Sequence, residues 1–208
     1  MRPVSCFFKP DLCGRAYAPD MANELSELME RSAHRTVPVV QGVTDARLGD
    51  PTPCSEYDVR DLLNHLFHVV VGFQALAAKG TADFSTTPDY LDGDWRARFG
   101  EETGRLVAAW GEPGTLEGKS QGFGMPQRTV AHMVLGDLTV HGWDLARATG
   151  QAYAPDDDVV GELLPAFEGM GPMAREMGVL GEEVPVPAGA PPFERLLGLM
   201  GRDPRWKV

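Results

Sequence analysis

The strongest constraint on the fold is a series of long segments whose apolar residues recur at helical spacing, with no strand-like alternation between them. Prolines, glycines and capping residues separate the segments, which predict five longer helices and one short helix. Successive helices of this kind are typical of an all-α bundle. The predicted segments are 22–47, 58–79, 91–110, 126–150, 156–177 and 193–200.

Single residues refine these boundaries. Asp58 is a candidate N-cap of the second helix, and Gly150 a candidate terminator of the fourth. Pro38 is expected to kink or split the first helix and Pro165 to interrupt the fifth, because proline removes a helical hydrogen bond. A small hairpin at 116–123 stays open as an alternative to a loop. Residues 1–20 show no periodicity and are predicted to be an irregular tail, followed by one domain over 21–208.

The charge of the chain restricts its partners. The net charge is −11 and no basic run occurs, so we expect no binding to nucleic acid or to anionic membranes. No apolar stretch approaches the length of a membrane span, and the N-terminus lacks the apolar core of a secretory signal, so a cytoplasmic location is expected. Cys6, Cys13 and Cys54 are too few for a disulfide framework and are predicted to be free thiols.

The fourth predicted helix carries two polar residues inside its apolar stripe. At about 100° per residue, Asp137 and His141 lie on the same side as Val130 and Val134. A carboxylate that faces a core loses much of its hydration energy unless it is paired or binds a metal. Two interpretations stay open: the two residues pair with each other, or they bind one divalent metal from positions i and i+4.

A metal held in this way needs a further ligand, and the second helix offers two histidines. Measured from Val59, near the centre of the apolar face, His68 lies on the opposite side and His65 on the flank. We therefore expect His65 to be the third ligand or, without a metal, a boundary histidine. His68 and His132 are expected to face solvent.

Three stretches carry a resemblance to a known family: TPCSEYDVRDLLNHL, LGDLTVHGWDLARATGQ and RLLGLMGRDPRW. Together they resemble the DinB-like metal-dependent bundles, especially the actinobacterial branch related to mycothiol-dependent maleylpyruvate isomerase. The resemblance implies a four-helix bundle, here with additional C-terminal helices, that holds one divalent metal, often zinc or nickel. It places the ligands at His65, Asp137 and His141. The broader family often has histidine where this chain has Asp137, whereas the mycothiol-linked branch has a carboxylate.

The resemblance also implies a chemistry. A small thiol such as mycothiol would coordinate the metal and attack a small electrophile as thiolate, which makes the chain a thiol transferase or isomerase. The separate C-terminal domain of the isomerase has no counterpart of sufficient length here, so its catalytic residues are not carried over. The alternatives are a non-catalytic metal-binding or regulatory module and, ranked last, an iron(II) oxygenase with the same ligand types. A homodimer and a monomer both stay open.

Several neighbouring residues have two interpretations each. Asp144 can orient a ligand histidine, or it can form an i, i+3 ion pair with Arg147. Arg60 can meet an anionic substrate or be an ordinary surface arginine. Cys54 is expected to be a buried structural cysteine, with a thiol made reactive by the helix N-terminus as the alternative. Trp143 is expected to pack between helices, with a platform for substrate as the alternative.

Overall fold

The computed structural model describes residues 24–207, and that part of the chain contains α-helices and no β-strand. The predicted all-α class is therefore confirmed. The predicted N-terminal tail, with Cys6 and Cys13, lies outside the described residues. The helices are α1 (Glu24–Gly42), α2 (Val59–Ala77), α3 (Trp95–Gly111), α4 (Gln127–Thr149), α5 (Asp157–Glu176) and α6 (Pro192–Leu199).

The first four helices form the bundle. Helix α1 packs against α3 and α4, and α2 packs against the same two, so α1 and α2 lie diagonally opposite each other. Helix α5 packs against α6 and also contacts α1 and α4. The predicted four-helix bundle with additional C-terminal helices is thus confirmed. None of the helices in 24–207 combines the length and the hydropathy that crossing a bilayer would require.

Helix α4 is enclosed on most of its circumference, and α1 approaches it very closely. Thr36 of α1 donates to the carbonyl oxygen of Leu138 at 2.7 Å, and the hydroxyls of Ser32 and Thr139 are 2.9 Å apart. A Cβ atom at Gly142 would overlap the Thr36 hydroxyl oxygen. A glycine at this position therefore allows the two backbones to meet.

The predicted start of α2 and the predicted end of α4 agree with the structure, whereas α1 ends at Gly42, five residues before its predicted end. The Asp58 carboxylate accepts from the Asp61 backbone N–H at 2.9 Å, and it caps α2. Gly150 adopts φ 71°, the left-handed conformation that ends many helices, and follows the last residue of α4. The segment 116–123 contains no β-strand, but an isolated antiparallel bridge pairs Lys119 with Pro126, so the hairpin alternative is present only as this minimal turn.

The expected split at Pro38 and the interruption at Pro165 are wrong, and the alternative of a kink at Pro38 stays a prediction. Helix α1 runs through Pro38, and α5 runs through both Pro165 and Pro172. Each of these prolines lies on an exposed face. The carbonyl group one turn earlier loses its helical partner, but water can replace that partner on an exposed face, and the helix continues.

Candidate metal centre

The structure brings His65 of α2 together with Asp137 and His141 of α4. One ligand atom of each residue lies within 4.8 Å of those of the other two. Asp137 Oδ1 is 3.6 Å from His141 Nε2, and the rings of His65 and His141 meet edge to face with centroids 5.0 Å apart. Zinc bonds of about 2.0–2.2 Å place tetrahedral ligand atoms roughly 3.4 Å apart, so small adjustments let the three atoms converge on one ion. We call these three residues the trio.

The electrostatics of the trio suit a divalent cation. Burial, helped by the neighbouring His141, lowers the pKa of His65 to about 3, so its imidazole is neutral and has a free lone pair at physiological pH. Burial raises the pKa of Asp137 against the opposing influence of His141 and Arg202. Its ion pair with His141 is longer than a hydrogen bond. A metal would provide the compensation that this carboxylate lacks.

His141 makes a second set of contacts through its other ring nitrogen. Its Nδ1 is 3.0 Å from Oδ2 of Asp144, which is completely buried. Oδ2 also accepts from Arg202, from Nη2 at 3.2 Å and from Nε at 3.4 Å. A carboxylate in an ion pair only accepts hydrogen bonds, so Nδ1 of His141 carries the hydrogen and Nε2 is free to face the trio.

A second group of potential ligands lies on this side of the ring. It contains Cys54, His141 and Asp144. The guanidinium of Arg202 already neutralises Asp144, and it lies 3.5 Å from His141 Nδ1, so it would repel an added cation. Burial also raises the pKa of the Cys54 thiol, which disfavours the thiolate that binds metals. The trio therefore fits a metal better than this group.

The segment before α2 forms one wall of the site. The Tyr57 ring stacks on His65 with centroids 5.2 Å apart. Thr52 fixes the segment, because its hydroxyl accepts from the Cys54 N–H at 3.1 Å and donates to the Tyr57 carbonyl oxygen at 2.8 Å. About a quarter of the Asp137 side chain stays exposed, so the trio is open to solvent at this residue.

The remaining candidate residues lie away from the trio. Arg60 is half exposed and pairs with Asp89 at 3.6 Å. Arg147 donates to the Trp206 carbonyl oxygen at 2.6 Å, so Asp144 pairs with Arg202 and not with Arg147. Of the two interpretations of Asp144, the geometry favours orientation of the ligand histidine.

Two packing predictions have different outcomes. Trp143 is 6% exposed and contacts Phe193 of α6 edge to face, so its predicted packing role is confirmed. Cys54 is half-buried, whereas a buried position was predicted. Its thiol is free, as expected.

The prediction that His68 and His132 face solvent is wrong, although neither belongs to the trio. The loop between α2 and α3 covers His68, which bonds to the Tyr90 hydroxyl at 2.9 Å and to the Asp83 carbonyl oxygen at 2.7 Å. Helix α5 covers His132, whose Nε2 lies 2.7 Å from a Glu162 oxygen. Helical phase within one helix contains no information about such covering segments.

Comparisons with known proteins place the chain in a family. A family model described as the mycothiol maleylpyruvate isomerase N-terminal domain matches residues 29–146. Two uncharacterized proteins of Mycobacterium tuberculosis, from different strains, are each 31% identical over 157 residues, which cover 72% of this chain and 81% of theirs. No solved structure gives a significant match. The matched range contains the whole trio and Asp144, but it ends before Arg202.

Proposed function

The chain belongs to the family of the mycothiol maleylpyruvate isomerase N-terminal domain, and on this premise we propose that His65, Asp137 and His141 hold a divalent metal whose open position serves thiol chemistry. The convergence of two imidazoles and one carboxylate supports this proposal most directly. Catalytic metal sites commonly use three protein ligands and leave one position for a small molecule. Zinc is the first candidate for the metal, and nickel the second.

The charges of the trio support the binding of an anionic sulfur. Two neutral imidazoles and one carboxylate leave a divalent ion with a net single positive charge. When bound, the metal would supply Lewis acidity that makes a thiolate available at neutral pH. A thiol near its usual pKa of about 8.5 is otherwise mostly protonated.

The residues of the chain have separate tasks in this proposal. His65 and His141 offer nitrogen lone pairs, and Asp137 offers an oxygen at the partly exposed edge of the site. Tyr57 covers His65 and limits the access of water on that side. The proposed cosubstrate is a small thiol of the mycothiol type, and the proposed substrate is a small electrophile. The domain over residues 21–208 would then act as a thiol transferase or isomerase.

The second candidate is a non-catalytic metal-binding or regulatory module. The observation that favours it is that the trio joins α2 to α4, so a bound metal would link two helices of the bundle. In such a site the metal stabilises the fold, and thiols do not enter its coordination shell.

Cobalt substitution separates the two candidates. We expect the cobalt-loaded protein to develop an intense sulfur-to-cobalt charge-transfer band when mycothiol is added. The band should be absent in His65→Ala and retained in Cys54→Ser, since Cys54 is not a proposed ligand. Cobalt-loaded protein without any spectral response to mycothiol or other small thiols would reject the thiol chemistry and favour the non-catalytic module.

An activity measurement completes the test. Conversion of an electrophile such as maleylpyruvate should require both the metal and the thiol, and omission of either should abolish it. Conversion that continues in metal-free protein would contradict the proposal.

A further inference from the structure

A buried arginine reaches the candidate metal centre from the opposite end of the chain. Arg202 lies 61 residues after His141, in the segment that follows α6, and is 8% exposed. Its Nη1 donates to the Met200 carbonyl oxygen at 2.6 Å, and its Nη2 and Nε donate to Oδ2 of Asp144. The imidazole of His141 lies between this ion pair and the other two residues of the trio.

We propose that Arg202 is a positioning residue of the metal centre: it fixes the Asp144 carboxylate so that Asp144 holds the Nδ1–H of His141 and Nε2 is presented to the metal. This inference rests on the proposed metal site. Groups that hydrogen-bond to the ring nitrogen not bound to the metal select the tautomer and the ring orientation of a ligand histidine. Loss of such a group weakens metal binding.

The position of Arg202 is set by the backbone and not by the ion pair alone. Helix α6 ends in a turn in which the Gly201 N–H donates to Gly198 and the Arg202 N–H donates to the Leu197 carbonyl oxygen at 2.8 Å. Gly201 has φ 80°, where a side chain is strained. Further along, Arg147 anchors the Trp206 carbonyl oxygen. The segment is therefore held on both sides of Arg202.

The Asp144 carboxylate depends on one of its two oxygens. Oδ1 is buried without a hydrogen-bond partner, whereas the His141 ring and the Arg202 guanidinium converge on Oδ2. Without Arg202, one imidazole N–H would be the remaining donor to a fully buried carboxylate. We expect this carboxylate to rotate towards other donors or water. The His141 ring then loses the hydrogen bond that fixes its orientation.

The test compares Arg202→Met with Arg202→Lys and with a control, Arg205→Met. Arg205 lies in the same segment, but its side chain is 86% exposed and pairs with the nearby Asp203. Nitrogen-15 NMR of the metal-free protein should show the Nδ1–H form of the His141 ring in wild type and in Arg205→Met. A mixture of ring forms is expected in Arg202→Met, with partial recovery in Arg202→Lys, which keeps the charge.

Competition with a chelator gives the second readout. Arg202→Met should bind zinc about 10–100-fold more weakly than wild type, Arg202→Lys should lose less, and Arg205→Met should be unchanged. Folded Arg202→Met with wild-type ring signals and wild-type zinc affinity would show that Arg202 only fastens the C-terminal segment, and it would overturn the proposal.

A further variant covers the case in which Arg202→Met does not fold. Arg202→Gln keeps one NH2 group as a donor but loses the charge and the second donor nitrogen. It should show the same mixture of ring forms and the same loss of zinc affinity, and wild-type behaviour in both would overturn the proposal. Failure of the proposed function is separate: wild-type protein would take up no metal, while the NMR signals of metal-free protein still report whether Arg202 orients His141.

Discussion

The two ring nitrogens of His141 face regions of opposite character. On the Nε2 side, Asp137 is partly exposed, its nearest ion-pair contact is 3.6 Å long, and His65 is kept neutral by burial. On the Nδ1 side, Asp144 is completely buried and shares its Oδ2 with the ring and with Arg202. Among the described residues, the second region contains a cationic side chain, that of Arg202, that pairs with its carboxylate, and the first contains none at pairing distance from Asp137.

The difference between the two sides explains why two carboxylates on α4 have different roles. Asp137 and Asp144 are seven residues apart, so they lie two turns apart on the same side of α4. The C-terminal segment supplies Asp144 with a permanent partner, whereas no described residue does the same for Asp137. We infer that the carboxylate with an internal partner supports the fold and the one without is available for a ligand.

The largest expected effect is on the stability of the Nδ1 side of His141, where Asp144 pairs with Arg202. Asp144→Ala leaves Arg202 buried without its partner, and we expect the free energy of unfolding of the metal-free protein to fall by about 3–5 kcal/mol. Asp137→Ala in metal-free protein should change it by no more than about 1 kcal/mol. Urea denaturation of both variants measures the difference. Equal losses would remove the distinction between the two carboxylates.

The next effect concerns the metal itself. His65→Ala, Asp137→Ala and His141→Ala should each weaken zinc binding by at least about a hundredfold, or roughly 2.7 kcal/mol, so that purified protein no longer contains stoichiometric metal. His68→Ala and His132→Ala are the controls, because these histidines bond elsewhere. Full metal content in folded His141→Ala would refute the trio.

Lowering the pH should reduce the free energy of unfolding of the metal-free protein, because His65 becomes protonated more readily in the unfolded chain. Its pKa in the folded, metal-free protein is about 3, below the ordinary value of 6.5, so the unfolded chain binds more protons between these values. Stability is therefore fully present above about pH 6.5 and is lost as the pH falls towards 3. Between pH 7 and pH 5, metal-free wild type should lose about 2 kcal/mol more than His65→Gln. Parallel pH profiles of unfolding for the two proteins would contradict this.

The smallest effect is the stabilisation by metal. At a free zinc concentration ten times the dissociation constant, the protein should gain about 1.4 kcal/mol over the metal-free form. Because burial raises the pKa of Asp137, its charged form destabilises the metal-free fold at neutral pH. Asp137→Asn should therefore melt higher than wild type without metal and gain less from zinc. Differential scanning fluorimetry with and without a chelator measures this gap, and an unchanged gap would argue against a metal at Asp137.

The sequence was sufficient for those features that depend on one helix or on two regular helices. Periodicity located the helices, and Asp58 and Gly150 marked ends that the structure shows. Helical phase placed Asp137 and His141 on one side of α4 and selected His65 over His68, and the structure brings these three together.

The features that sequence reasoning missed depend on what covers a helix from outside. The exposed surroundings of Pro38 and Pro165 let both helices continue, and exposure is a tertiary property. His132 is covered by α5, which phase within α4 cannot show. Arg202 follows an aperiodic turn, and only the Gly-Arg-Asp-Pro run after a short helix could have indicated a fixed end there.

The close approach of α1 to α4 at Gly142 has a consequence for the rate of metal exchange. Gly142 directly follows a proposed ligand, and the Thr36 side chain occupies the space beside it. His141 is therefore carried on a stretch of backbone that packs directly against α1. We expect that, when the proposed metal is bound, transient separation of the two helices contributes to the rate at which the ion is released.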